Sequence, residues 1–402
     1  MGYDDPGRGA AVEPSPGLEH AFDDPAHGEP GRDRLAVHVA WELVLAAGLA
    51  VLTVLLWRDA PAALRDDGLQ ALLVDVVTVG LLVLAAGLSL RTAAVNLAVG
   101  PVAVASALHV AEQGDRGIQF AVSHAAAVAA IGGLVVGLVV AVLHVPGWAA
   151  SLAGAAAVVV YIERRAGPVL VQGGYDPRNN AIQLFAGFAA VAVLGGLFGV
   201  TRPIRRLAGR FRPVADPARR RGGVAGVVVV ASFVLSTVCA MLAGVLIASN
   251  GAGTVVPTQG LGWTVLAVGA ALLAGTSAYG RRGGIFGTLF AASLVAVLFA
   301  WSEARGWRIS RWAVGGAALG VGLLVTRLVE AYGGPRSAGP EPERLPSGDG
   351  TISTGWSVPR PAPVENWPPA MPTRSEDLPT DPWDASRWEA RPRPQRWDGG
   401  ER

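Results

Sequence analysis

Gly275-Thr276-Ser277-Ala278-Tyr279-Gly280-Arg281-Arg282-Gly283-Gly284-Ile285-Phe286-Gly287-Thr288-Leu289 lies between two long apolar runs, 261–279 and 285–301. Glycines, small hydroxyls and a paired arginine at such a junction predict a tight return into a membrane. Backbones must approach closely there, and an irregular segment must find its hydrogen bonds within the protein.

Outward from that junction, apolar runs of about 20 residues recur, the length that spans a bilayer as a helix. The expected spans are 35–57, 71–90, 93–111, 120–143, 149–162, 181–200, 224–248, 261–279, 285–301 and 312–331. The pattern predicts an all-α polytopic membrane protein of about ten transmembrane helices, some broken or re-entrant. The third contains Asn96, Gly100 and Pro101, so it is expected to be broken or kinked. The fifth is short, and re-entrant or tilted. Continuous rather than alternating apolar runs exclude a β-barrel.

Composition agrees. Half the residues are hydrophobic (51%) and only 16% are charged, with a mean hydropathy of +0.41. Charge gathers in the tails and short loops. Residues 1–34 are acidic and rich in Gly and Pro, and read as a disordered tail rather than a signal peptide. Residues 35–333 form the membrane domain. Residues 334–402 form a second disordered tail, rich in Pro and carrying Trp356, Trp367, Trp383, Trp388 and Trp397.

All 33 basic side chains are arginine. With abundant Ala, Val and Gly this suggests a bacterial, GC-rich coding sequence. A P-loop needs a lysine on the phosphates, so any ATP must be hydrolysed by a partner. Cys239, the single cysteine, reads as core packing. No nucleophile elbow and no His spacing suited to a metal occur. The chain is therefore expected to be no enzyme, to hold no cofactor or metal, and to have the lipid bilayer rather than nucleic acid as its surroundings.

Segment 201–223 carries eight arginines and one aspartate. The positive-inside rule places it in the cytoplasm. Counting through ten spans then puts Arg91, Arg281, Arg282 and both termini on the same side, in a multi-pass protein of the cytoplasmic membrane.

Four stretches resemble the permease subunits of ribose-type ABC importers, in the branched-chain superfamily. Asn96-Leu97-Ala98-Val99-Gly100-Pro101 is similar to an Asp-Leu-Ser-Val-Gly-Ser motif, with Asn for the acid. Val145-Pro146-Gly147-Trp148-Ala149-Ala150-Ser151-Leu152 is similar to a proline-led start of the fifth helix. In segment 201–223, Asp216, Ala218, Arg220 and Gly223 fall where the family places a short helix that docks into the ATP-binding subunit. Its leading Gly-Asn is missing. The opening stretch resembles a Gly-Gly-Thr-Ser motif followed by Gly-Thr-Leu, through Gly275, Thr276, Ser277, Gly280, Gly283, Gly287, Thr288 and Leu289. The resemblance implies the permease fold, a second permease subunit, an ATP-binding subunit and an extracellular solute-binding protein. It also implies alternating-access import of a sugar-like polar solute.

Candidate solute-path residues are Asn96, Gly100, Ser106, Thr276 and Ser277. Asn96 and Ser106 are uncharged, lie within a span and could hydrogen-bond a hydroxylated solute. The alternative role is glue between helices. Gly283 and Gly287 have the spacing of close helix packing. His38 and Glu42 are expected at the membrane interface, and His109 and His124 near outer helix ends. Asp75, a lone acid inside the second span, leaves room for a proton-coupled transporter. The altered docking motif leaves room for a pseudo-permease scaffold without ATP coupling.

Overall fold

The computed structural model describes residues 35–209, 222–251, 253–278 and 283–332. Among them eleven α-helices follow in order: α1 (Leu35–Asp59), α2 (Asp66–Arg91), α3 (Val99–Gln113), α4 (Ile118–Leu143), α5 (Gly147–Glu163), α6 (Ala181–Val200), α7 (Arg202–Gly209), α8 (Gly223–Ser249), α9 (Leu261–Leu273), α10 (Gly287–Ala304) and α11 (Arg311–Tyr332). Two short strands, β1 (Val169–Leu170) and β2 (Thr254–Val255), pair antiparallel.

Each expected apolar run contains a helix. Seven of these, α1, α2, α4, α6, α8, α10 and α11, are long and apolar enough to cross a membrane. The chain is an all-α, multi-pass membrane protein. Helices α3, α5 and α9 have 15, 17 and 13 residues. At 1.5 Å per residue none reaches the roughly 30 Å of a hydrocarbon core alone.

Helix α2 is central. Burial covers 61% of its most apolar window, against 44% for α8 and 17% for α1. Its Val74, Val77, Leu82, Val83 and Leu90 lie in the main core with Phe188, Leu246, Leu266 and Val295. Helix α4 buries Ala121, Ala125, Ala129, Gly133 and Gly137, a small residue every fourth position. That stripe lets its backbone approach α8: a Cβ on Gly137 would stand 2.8 Å from the Cα of Val230. Helix α1 is reversed in polarity. It turns Val39, Leu43, Val51 and Val54 outward and buries His38 and Glu42.

One end of the bundle is closed by a polar cap. The β1–β2 pair joins the chain after α5 to the chain before α9. Gln172 N–H donates to Ala111 O at the end of α3. Arg165 grips Glu112 through Nε and Nη2 at 2.7 and 2.8 Å, with its guanidinium 4.1 Å over the Tyr161 ring. The Glu112 carboxylate beside it holds the Arg165 pKa above its ordinary value. Asn250 donates to Asp75 and accepts from Arg178.

The expected break in the third span comes earlier than Gly100 and Pro101. Both lie in the first turn of α3, where a missing N–H costs little, and residues 92–98 form the break.

Candidate functional site

Two interruptions of the membrane helices are built alike. At the end of α2, Ala93 N–H donates to Leu90 O and Ala94 N–H to Ser89 O. At the end of α9, Gly275 N–H donates to Leu272 O and Thr276 N–H to Ala271 O. Each is a Schellman turn around a left-handed residue, Ala93 at φ +55° and Gly275 at φ +86°. Residues 92–98 after the first turn, and the described residues 276–278 and 283–286 after the second, are irregular, and the chain resumes as a helix at α3 and α10.

Irregular backbone inside a bilayer protein must be satisfied by neighbours. At the first break, α9 and α5 bond the backbone, and α8 bonds the side chains of Thr92 and Asn96. Thr92 Oγ1 and Ser232 Oγ are 2.9 Å apart, and Asn96 Nδ2 donates to Ser236 Oγ at 3.0 Å. Ser236 donates onward to Ala85 O. The Asn96 side-chain oxygen accepts from Ala98 N–H at 3.0 Å. From α9, Thr264 Oγ1 accepts from Gly100 N–H and donates to Leu97 O. Ser151 on α5 accepts from Leu97 N–H and donates to Val95 O.

At the second break, α1 does the same work. Trp41 Nε1 donates to Leu273 O at 2.7 Å. Glu42 Oε1 accepts from Phe286 N–H at 2.7 Å and from Gly287 N–H at 3.0 Å. A carboxylate at a helix N-terminus is favoured by both hydrogen bonding and the helix dipole. The runs α1–α4 and α8–α11 thus have the same order, and the first helix of each run holds the broken pair of the other.

A cavity of about 590 Å³ lies beside the first break, between α3, α4, α5 and α8. Asn96, Ser106, His109, His124, Tyr161 and Thr237 supply its polar wall, and Val102, Val128, Val135, Val158 and Phe233 much of the rest. His109 and His124 stack at 5.1 Å between ring centroids. A second cavity, about 1040 Å³, opens at the capped end among α2, α9, α10 and α11. Asp75, Glu303, Arg308, Arg311 and the tryptophans 263, 307 and 312 line it, with Arg311 stacked 4.1 Å over Trp263.

Of the residues expected on a solute path, Asn96 and Ser106 line the smaller cavity. Asn96 also donates to Ser236 on α8, the contact between helices expected as its alternative role. Gly100 does not line it; there a Cβ would strike Gly260 O and sit 2.7 Å from Thr264 N. Thr276 and Ser277 are buried in the second break and border neither cavity. Gly287 makes the close approach expected of it, against Ala274 O, while Gly283 lies against the Arg91 guanidinium. Gly223 is the first residue of α8. Asp216, Ala218 and Arg220 lie outside the described residues, as do both tails.

His38 and Glu42, expected at the membrane interface, are buried within the protein, 4% and 5% exposed, because α1 presents them inward, one turn apart. Trp41, Ser232, Ser236 and Thr264 were also not singled out. Ser232 and Ser236, two hydroxyls one turn apart in an apolar helix, were a readable sign of a face that meets backbone.

No protein-family model matches the chain, and neither curated proteins nor solved structures yield a match.

Proposed function

We propose that this protein is a solute-translocating membrane subunit, the permease of an ATP-binding cassette importer whose ATPase is a separate chain. One observation carries the reading: two broken helices, each bonded by helices of the opposite four-helix run, with α5 joining in at the first break and a cavity beside it. Broken helices beside a cavity are how transporters place polar backbone at membrane depth, and internal repeats that move against each other are how they alternate access. In this reading the partners are a second permease, an ATP-binding subunit that docks on segment 201–223, and an extracellular binding protein. That segment and both termini then face the cytoplasm.

A second reading has its own observation. Asp75 borders the larger cavity with Glu303, so a proton-coupled carrier would have an acid in reach of solvent and solute.

Purifying the tagged full-length chain from its native membranes, in a mild detergent that keeps complexes intact, separates these. The expected result is a co-purifying nucleotide-binding protein and vanadate-sensitive ATP hydrolysis. A chain that comes alone, in vesicles whose uptake collapses with the proton gradient and ignores ATP, overturns the importer reading for the carrier. A chain that comes alone and moves nothing leaves a scaffold.

A further inference from the structure

We propose that the cavity between α3, α4, α5 and α8 binds an uncharged, largely apolar small molecule carrying one hydrogen-bonding group, which Ser106 receives. The proposal rests on reading this cavity as part of the solute path, and it departs from the sugar-like solute that the family resemblance implies.

The lining sets the class. Among the described residues no Asp, Glu or Arg borders the cavity. A zwitterion or an ion would enter without a counter-charge, at a large desolvation cost. A polyol would leave most of its hydroxyls against Val102, Val128, Val135, Val158 and Phe233. At about 590 Å³ the space is within the usual range for small-molecule pockets, which are mainly apolar with a few placed polar groups.

The polar wall sets the recognition. Three of its six residues are already engaged: Asn96 with Ser236 and Ala98, Thr237 with Ala129 O and Phe233 O, and Tyr161 Oη with Arg165. The Ser106 hydroxyl is not. Ser106 is 8% exposed, and its hydroxyl makes no hydrogen bond among the described residues, although buried hydroxyls on the neighbouring helices all do. His109 Nε2 also has no partner, but it is enclosed by protein and not open to the cavity. Three residues apart on α3, the two side chains share one face, and His124 stacks on the imidazole. A buried polar group without a partner is costly, and a ligand with one donor–acceptor group removes that cost. The acyl chain of a bilayer lipid would not.

The test uses the full-length chain in phosphatidylcholine nanodiscs and the probe N-phenyl-1-naphthylamine, which is uncharged, apolar and bears a single N–H. The expected result is saturable fluorescence enhancement above protein-free discs, undisplaced by millimolar ribose or leucine. Gly132 lines the cavity, and a Cβ there meets nothing within 4 Å. Gly132→Leu should therefore fill the space without disturbing packing and weaken binding at least about tenfold. Gly195 on α6 is equally open but borders neither cavity, so Gly195→Leu should bind as wild type does. Ser106→Ala should weaken binding about threefold to tenfold.

Wild-type signal equal to that of empty discs, or binding unchanged in Gly132→Leu, overturns the site. Displacement by ribose or leucine overturns the ligand class. Loss in Gly132→Leu with none in Ser106→Ala overturns the hydrogen-bonding role and leaves an acyl chain as occupant. Nanodisc binding needs no ATPase, so failure here is read separately from failure of ATP coupling.

Discussion

Trp41 and Glu42, neighbours on α1, cap opposite sides of one helix break: the indole donates to the last carbonyl of α9, and the carboxylate accepts from the first N–H groups of α10. Removing the Glu42 oxygens strands two N–H groups where water does not reach. Glu42→Ala is expected to cost about 2–4 kcal/mol, and Glu42→Gln, which keeps an acceptor but loses the charge, about half as much. Trp41→Phe keeps the ring and loses one hydrogen bond, about 1 kcal/mol. Thermal unfolding in detergent checks the order, Ala below Gln below wild type. An unchanged midpoint in Glu42→Ala would show that the cap holds nothing.

Asn96 uses both faces of its amide, donating to Ser236 and accepting from Ala98 N–H. The importer motif it resembles has an acid here. Asn96→Asp replaces the donor with an acceptor and forces Ser236 to give up Ala85 O to meet it. It also buries a charge with no cation among its hydrogen-bond partners. The expected loss is about 2–4 kcal/mol, larger than the roughly 1 kcal/mol of Ser236→Ala. Unfolding midpoints of the two variants, compared in one detergent, decide it. A tolerated Asp would mean that the break relaxes around a charge.

The helices and the presence of two breaks were legible because apolar length and small polar interruptions are local properties. What holds the breaks was not. Glu42 lies 244 positions from Phe286, and Asn96 lies 140 from Ser236, and no periodicity within one helix names a partner on another. Glu42 looked interfacial because it is close to the start of an apolar run. Only the packing of α1 shows that this run begins beside a buried break. Of the three residues that mark the first break, only Asn96 lies in it. Gly100 and Pro101 are the residues that usually interrupt helices, but in a first turn they start one.

Gly100 and Gly260 bring α3 and the start of α9 into backbone contact. A Cβ on Gly100 would collide with Gly260 O and crowd Thr264 N and Oγ1, each at 2.7 Å. Thr264 Oγ1 belongs to the network that closes the first break, and Thr264 N donates to Gly260 O at the start of α9. Gly100→Ala is expected to cost about 1–3 kcal/mol through overpacking and a displaced Thr264. Gly87→Ala in α2 meets nothing within 4 Å and should be neutral or stabilising by about 0.5–1 kcal/mol from helix propensity alone. Expression level and unfolding midpoint should move in opposite directions for the two variants.

Arg165 combines a two-point grip on Glu112 with a face on Tyr161 and a bond to Tyr161 O. Lysine reproduces the charge but neither the fork nor the plane, so Arg165→Lys is not conservative at this site. The pair is partly exposed, with side-chain accessibilities of 15% and 31%, and solvent screening keeps the expected loss to about 1 kcal/mol. Glu112 raises the Arg165 pKa further above its ordinary value. The stability gained from a raised pKa is complete below the unfolded value and lost only above it, so while Glu112 stays ionised the contribution should be flat from neutral to mildly alkaline pH. Hydrogen exchange across 161–172 at two pH values tests both statements. Faster exchange in Arg165→Lys by the same free energy at each pH is expected, and a loss confined to one pH would place the stabilising charge elsewhere.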